Sequence, residues 1–80
     1  MIPSIVEVTP TQKYTLNILF SNGEYRSFDM NPYIDMGLFR ELKNQEMFAT
    51  VKKSFDTIEW ANGADIDPES LYTESVSIMK

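Results

Sequence analysis

The sequence predicts an α+β fold, with an antiparallel sheet of about four strands and helices covering one face. Three observations support this fold class. Asn22-Gly23 separates two β-type runs, the apolar spacing becomes helical after Met36, and β-type residues return at 55–60. Strands followed by helices and a further strand do not build parallel βαβ units. Eighty residues are too few for two cores, so we predict that residues 1–80 form one small domain.

The first three strands are predicted to form a β-hairpin meander. Residues 4–9 make a short strand that ends at Pro10, because proline cannot donate to a sheet ladder. In "KYTLNILF", residues 13–20, apolar and polar residues alternate as they do in a half-buried strand. Asn22-Gly23 tolerates the positive φ of a tight hairpin turn. Residues 25–30 are therefore expected to run back antiparallel.

The middle of the chain is predicted to be helical. Its apolar residues recur at helical spacing in two groups, which are Leu38, Phe39 and Leu42, then Met47, Phe48 and Val51. We predict two short helices that separate near Asn44-Gln45. Lys52-Lys53 is interpreted as the solvated end of the second helix.

A fourth strand is predicted at residues 55–60, and a turn at Asn62-Gly63 follows it. Asp67-Pro68 opens a short C-terminal helix, because aspartate caps helices and proline suits the first helical position. For the tail, residues 73–80, a frayed, a helical and an edge-strand form all remain open. The predicted core consists of large apolar side chains at inward positions: Phe20, Phe28, Leu38, Phe39, Leu42, Phe48, Ile58 and Trp60.

The residue inventory argues against an enzyme. The sequence contains no histidine and no cysteine, so the usual nucleophile pairs and zinc ligands are missing. Its three glycines stand alone, which leaves neither a P-loop nor a dinucleotide-binding fingerprint. We therefore predict no catalytic residue and no cofactor.

Charge and hydropathy narrow the class of partner. The net charge is −5, and a negative surface repels the phosphates of nucleic acids. No apolar run approaches the roughly 20 residues that cross a bilayer. The lack of cysteine and of a signal-type N-terminus points to the cytoplasm. We expect neither a nucleic acid nor a membrane as partner.

Carboxylates are the remaining chemically active groups. Asp65, Asp67 and Glu69 stand two apart, and alternate residues of an extended segment face the same way. Such oxygens suit Mg²⁺ or Ca²⁺. We favour a structural interpretation, in which Asp67 caps the helix and Glu69 complements the helix dipole. A carboxylate-based cation-binding or enzymatic site built on Asp29, Glu59, Asp65 and Asp67 is the alternative.

Trp60 and Tyr72 each have two interpretations. Both rings can pack on the sheet, and both residue types are enriched at the energetic centres of interfaces. Together with two polar neighbours they form the candidate interaction surface, which consists of Trp60, Asn62, Asp65 and Tyr72.

The stretch "IEWANGADIDPESLY", residues 58–72, resembles the C-terminal signature of a small prokaryotic family, domain of unknown function 2442. The earlier strand, Asn-Gly turn and returning strand agree with that family. The resemblance implies a compact α+β fold. The resemblance also suggests two functional contexts. Some members of the family carry an appended helix-turn-helix domain, and others lie beside a small gene in toxin-antitoxin-like arrangements. No DNA-binding part is expected in this chain.

These observations lead to one functional hypothesis. The chain is predicted to be a small acidic, non-catalytic protein-interaction module. Its partner would be another protein, with a basic toxin-like neighbour as one possibility, or a second copy bound through an edge strand or an exposed aromatic residue.

Overall fold

The computed structural model describes residues 2–78. Within this range the chain forms seven strands, one 3₁₀ helix and two short α-helices. The strands in chain order are β1 (Ile5–Pro10), β2 (Thr15–Phe20), β3 (Tyr25–Asp29), β4 (Lys52–Ser54), β5 (Thr57–Glu59), β6 (Asp65–Ile66) and β7 (Val76–Ser77). The helices are the 3₁₀ helix (Gly37–Lys43), α1 (Gln45–Phe48) and α2 (Pro68–Thr73). The mixed α+β class is confirmed.

The first sheet has the strand order β1-β2-β3-β7, and all of its pairings are antiparallel. The meander forms as predicted, with Leu16 opposite Phe28 between β2 and β3. The Asn22-Gly23 turn joins these two strands, and Gly23 takes a φ of 88° that side chains disfavour. Asn22 stabilises the turn because its side-chain oxygen accepts a hydrogen bond from the Glu24 amide at 3.0 Å.

The tail adds the fourth strand of this sheet. β7 pairs with β3, with Val76 opposite Ser27. The guanidinium of Arg26 fixes Ser75, the residue before β7. It donates to the Ser75 hydroxyl at 2.7 Å and to the Ser75 carbonyl at 2.6 Å. Of the three forms left open for the tail, the edge strand is therefore the one observed. Residues 79 and 80 lie outside the described range.

The helical middle divides in two, as predicted. Asn44 separates the helices and caps α1, because its side-chain oxygen accepts hydrogen bonds from two α1 backbone amides. The first helix is a 3₁₀ helix, in which side chains align every third residue. Phe39 and Leu42 thus share a face, whereas Leu38 is rotated off it and is 53% exposed. The placement of Leu38 in the predicted core was wrong.

The predicted fourth strand belongs to a second sheet, of order β4-β5-β6. Lys52-Lys53 lies in β4 and does not end a helix, which corrects that interpretation. Residues 55 and 56 form the turn between β4 and β5. The observed strand β5 therefore begins two residues later than the strand predicted at 55–60. Pairing of Lys52 with Glu59 places opposite charges on neighbouring strands, an arrangement that stabilises a hairpin.

Both sheets and all three helices contribute to one hydrophobic cluster. Phe39 lies partly buried at its margin, and the other predicted core residues except Leu38 are inside. The largest fully buried side chains are Trp60, Phe28, Phe48, Leu16, Ile18, Met30, Leu42, Ile58 and Leu71. Burial of these side chains is the main source of the fold's stability.

Candidate functional site

Trp60 belongs to the core and not to the surface. Only 1% of it is exposed, and its ring packs against Phe48 and edge-on to Phe39. Its indole N-H donates to the Phe48 carbonyl at 3.1 Å, which satisfies the polar atom that burial would otherwise leave unpaired. Trp60 therefore cannot present its ring to a partner, and its place in the candidate interaction surface is corrected.

Asn62 joins two segments of the fold. Its side-chain oxygen accepts from the Ala64 amide at 3.0 Å within the turn. Its amide nitrogen donates to the Glu41 carboxylate at 2.9 Å and to the Leu38 carbonyl at 3.3 Å. These contacts anchor the turn to the 3₁₀ helix, so the side chain is engaged in holding the fold.

Tyr72 is half-buried and its ring packs on the first sheet. The ring lies edge-on to Phe20 at 5.0 Å, and the Arg26 guanidinium stands 4.7 Å from the ring centre. Its hydroxyl donates to the Glu24 carboxylate at 2.8 Å. This hydrogen bond, with a smaller effect of burial, raises the pKa of Tyr72 above its ordinary value. Tyr72 thus ties α2 to the sheet.

The candidate carboxylates do not converge. Asp67 caps α2 by accepting from the Ser70 amide at 3.1 Å, with Pro68 following it, as the structural interpretation required. Asp65 is exposed on β6 opposite Glu59, whereas Asp29 ends β3 in the other sheet. Within residues 2–78 there is no group of three or more histidine, cysteine, aspartate or glutamate residues able to hold a metal ion.

The most unusual exposed residue among residues 2–78 is Phe55, which the sequence predicts to lie inside a strand. Phe55 and Asp56 form the two-residue turn between β4 and β5, which we call the hairpin tip. Phe55 is 96% exposed and has a φ of 53°. Glycine is the usual residue at positive φ in a tight hairpin turn, because it has no Cβ. A bulky L-residue held at positive φ costs roughly 1–3 kcal/mol.

Tyr14 provides a direct comparison for Phe55. It is the other non-glycine residue with positive φ among residues 2–78, at 61°. Its ring packs edge-on to Phe48 at 5.3 Å, and its hydroxyl donates to the Lys43 carbonyl. These contacts offset the backbone strain at Tyr14. At the hairpin tip, a ring that is 96% exposed has no such compensation within the chain.

The β4–β5 hairpin carries both signs of charge, with Lys52 and Lys53 on β4, Asp56 at the tip and Glu59 on β5. Lys52 and Lys53 are both exposed on β4 and precede the tip. Among residues 2–78 the ion pairs join Arg26 to Glu24 and Lys43 to Asp35, so neither lysine on β4 has an ion-pair partner. The hairpin tip therefore presents a phenyl ring next to the exposed carboxylate of Asp56, with Lys53 two residues before the ring.

A pocket opens beside the edge strand β6. Tyr33, Phe39 and Ile66 line it together with Asp65, Asp67 and Ser70. Its volume is about 200 Å³. The Tyr33 hydroxyl donates to the Glu74 carboxylate, and this hydrogen bond, with partial burial and the Glu74 charge, raises the pKa of Tyr33. The pocket thus combines aromatic and aliphatic walls with an acidic rim.

These features define a class of protein: a small α+β domain of two antiparallel sheets, with an exposed aromatic tip. Residues 5–77 match the family model described as "Protein of unknown function (DUF2442)". The chain belongs to this family, and the predicted resemblance is confirmed. No curated protein and no solved structure matched the chain. No helix among residues 2–78 is long and apolar enough to cross a membrane.

Proposed function

We propose that this chain is a non-catalytic protein-interaction module whose anchor is Phe55 at the hairpin tip. The observation that carries this proposal is a fully exposed ring on a strained backbone. Burying a phenylalanine side chain yields about 1.5–3 kcal/mol, and the free chain gains none of it. Strain without local compensation is typical of residues that act at a functional site.

The partner is another protein or a second copy of the chain. The net charge of −5 favours a basic protein, and a toxin-like protein encoded nearby is the first such partner to test. The same charge disfavours nucleic acids and anionic membranes. A chain without cysteine suits a reducing compartment such as the cytoplasm.

Affinity capture with three versions of the chain tests this function. The wild type is compared with Phe55→Ala and with Leu38→Ala, which shortens an apolar residue that is also exposed. Each is used to capture partners from native lysate and is co-expressed with the product of the adjacent gene. We expect the wild type and Leu38→Ala to retain the same protein and Phe55→Ala to lose it.

Two outcomes contradict the proposal. One is a partner that Phe55→Ala retains as well as the wild type does, which would place recognition elsewhere on the surface. The other is a wild-type chain that captures nothing and stays monomeric when co-expressed. Circular dichroism of the three versions establishes that each is folded.

A further inference from the structure

The sequence contains two Asn-Gly pairs, and both lie in turns of the same geometry. Asn22-Gly23 joins β2 to β3, and Asn62-Gly63 joins β5 to β6. The two glycines have φ values of 88° and 90°. Each glycine amide donates at 3.0 Å to the carbonyl three residues earlier. The two turns therefore form a matched pair within one molecule.

An asparagine followed by glycine can lose its side-chain amide by deamidation. The glycine nitrogen, after giving its proton to hydroxide, attacks the carbonyl carbon of the asparagine side chain. A new C–N bond closes a succinimide ring, and the bond to the side-chain nitrogen breaks to release ammonia, with a proton taken from water. Water then opens the ring at either carbonyl and leaves aspartate or isoaspartate. Glycine favours the attack because it has no Cβ to block the approach.

In both turns this attack requires a local opening. The glycine amide is hydrogen-bonded, and the asparagine side-chain oxygen accepts from the amide two residues later at 3.0 Å. An exposed turn opens at a low free-energy cost, whereas a turn tied to another segment opens less often. The contacts of each asparagine side chain therefore decide which site reacts.

The two asparagines differ in what holds their side chains. Asn62 is half-buried, and its amide nitrogen, the leaving group, donates to the Glu41 carboxylate at 2.9 Å and to the Leu38 carbonyl at 3.3 Å. Asn22 is exposed, and beyond its own turn it contacts the neutral Tyr72 hydroxyl. Hydrogen bonds to a charged group are stronger than those between neutral groups. Asn62 is thus held more firmly than Asn22.

We propose that Asn22 is a deamidation site of the folded chain, and that the fold protects Asn62 from the same reaction. Neither turn contains Phe55, so this modification is independent of the proposed function.

The carboxylate formed at Asn22 lies beside a network that ties the tail to the first sheet. Glu24 accepts from the Tyr72 hydroxyl at 2.8 Å and pairs with Arg26 at 3.2 Å. Arg26 in turn holds Ser75, the residue before β7. A second negative charge repels the Glu24 carboxylate, and isoaspartate adds a carbon to the backbone of a turn whose length sets the strand register. Deamidation should therefore weaken the attachment of α2 and β7.

Peptide mass spectrometry of the folded chain, aged at mildly alkaline pH, tests the choice of site. Trypsin places the two sites in separate peptides, residues 14–26 and 54–80. Fragment ions locate the mass increase of an amide converted to an acid. We expect Asn22 to convert about tenfold or more faster than Asn62, because a hydrogen bond to a charged group changes an opening equilibrium by about that factor. In urea the two rates should converge, since unfolding removes the contacts and keeps both Asn-Gly pairs.

Variants at Glu41 test the protection of Asn62. Glu41→Ala removes the carboxylate that holds the amide nitrogen, so it should bring the conversion of Asn62 toward the rate of Asn22. Glu41→Gln is the matched control, because it keeps an oxygen that can accept the hydrogen bond and should protect Asn62 better than Glu41→Ala does. Glu41 is exposed, so we expect both variants to fold, and melting temperatures check this.

Variants at Asn22 test the consequence of the modification. Asn22→Ser cannot deamidate, and its hydroxyl can still accept from the Glu24 amide. The melting temperature of the wild type should fall as the chain ages, and that of Asn22→Ser should stay constant. Asn22→Asp, which is one of the two products, should melt below the wild type before any ageing.

Three results overturn the proposal. The first is a folded chain in which Asn62 converts as fast as Asn22, or in which neither converts although both convert in urea. The second is Glu41→Ala with Asn62 as slow as in the wild type, which would remove the cause assigned to its protection. The third is an aged chain, converted at Asn22, whose melting temperature is unchanged.

Discussion

Phe55 and Trp60 lie on either side of β5 and have opposite environments. Trp60 is 1% exposed and packs against two other rings, whereas Phe55 is 96% exposed. The backbone sets this difference. Trp60 follows a strand that faces the core, and Phe55 occupies a turn that projects beyond the sheet. Aromatic character alone therefore does not identify a recognition residue.

The comparison separates stability from recognition. Trp60 contributes burial and a hydrogen bond to folding, so its surface is already used within the chain. Phe55 contributes no burial and adds backbone strain, so its ring is available to a partner. A change at Trp60 should consequently affect folding, and a change at Phe55 should affect binding.

The largest effect is expected for Trp60→Ala. Truncating a buried tryptophan costs about 3–5 kcal/mol through lost burial and the cavity left behind. Small domains have about 3–5 kcal/mol of total stability, so most of the variant should be unfolded. Far-ultraviolet circular dichroism and urea titration measure this. A variant that unfolds cooperatively at nearly the wild-type midpoint would contradict the conclusion that Trp60 stabilises the fold.

Asp67→Ala should have a moderate effect. Asp67 accepts from the Ser70 amide and caps α2, so its removal should lower the free energy of unfolding by about 1 kcal/mol. Asp67→Asn is the matched control, because it removes the charge and keeps an oxygen that can accept the hydrogen bond. Urea titration of both variants checks the prediction, and equal stability of wild type and Asp67→Ala would contradict the capping role.

The loss of stability at alkaline pH tests the role of Tyr33, an aromatic residue of intermediate exposure. The hydrogen bond from Tyr33 to Glu74, followed by partial burial, raises the pKa of Tyr33 above its ordinary 10.0 in the folded chain. The unfolded chain then loses this proton first, so the stability that Tyr33 contributes is present below its ordinary pKa and is lost as the pH rises through the raised value.

Urea titrations at increasing pH measure this loss. Tyr33→Phe removes both the hydroxyl and its hydrogen bond, so its stability should fall less steeply with pH than that of the wild type. Tyr72, whose pKa is raised by its hydrogen bond to Glu24, still contributes a decline in this variant. Identical slopes for wild type and Tyr33→Phe would contradict the assignment.

Substitution of Phe55 should have a small effect on stability. Phe55→Ala removes an exposed ring and should change the free energy of unfolding by no more than about 0.5 kcal/mol. Phe55→Gly relieves the strain of positive φ but increases the freedom of the unfolded chain, so we expect it to be at least as stable as Phe55→Ala. Thermal melts compare the two. A large destabilisation by Phe55→Ala would show that the ring supports the fold.

Divalent cations should have no effect. The carboxylates at Asp29, Glu59, Asp65 and Asp67 do not form a metal-binding group. A cation present at 100 times its dissociation constant would stabilise the fold by about 2.7 kcal/mol. We therefore expect unchanged melting temperatures in Mg²⁺, Ca²⁺ and Mn²⁺, and a clear rise with any of them would restore the cation-site hypothesis.

The sequence predicts those parts of the fold that short-range chemistry determines. Asn22-Gly23 specifies its hairpin, and Asp67-Pro68 specifies the start of α2. The exposure of Leu38 was not predictable, because the difference between 3₁₀ and α geometry depends on packing around it. Lys52-Lys53 likewise has no intrinsic preference for a strand and is held in one by its pairing with β5.

The candidate site was harder to predict than the fold. The turn at Phe55 and Asp56 lacks the glycine or asparagine that usually marks a positive φ. The sequence therefore predicted a strand across these two residues. The pocket joins residues from the 3₁₀ helix, β6 and the start of α2, whose proximity no local pattern encodes. One signal was present, since a bulky aromatic residue beside aspartate and two nearby lysines is unusual in a core strand.

Photo-crosslinking in cells shows whether the ring at position 55 contacts another protein. A photoreactive phenylalanine analogue replaces Phe55 in one version of the chain and Leu38 in the other, since both side chains are exposed. If Phe55 is the anchor, a discrete protein adduct is expected from position 55 and none, or far less, from position 38. An equally intense adduct from position 38, or no adduct from position 55 in cells that express the folded chain, would contradict it.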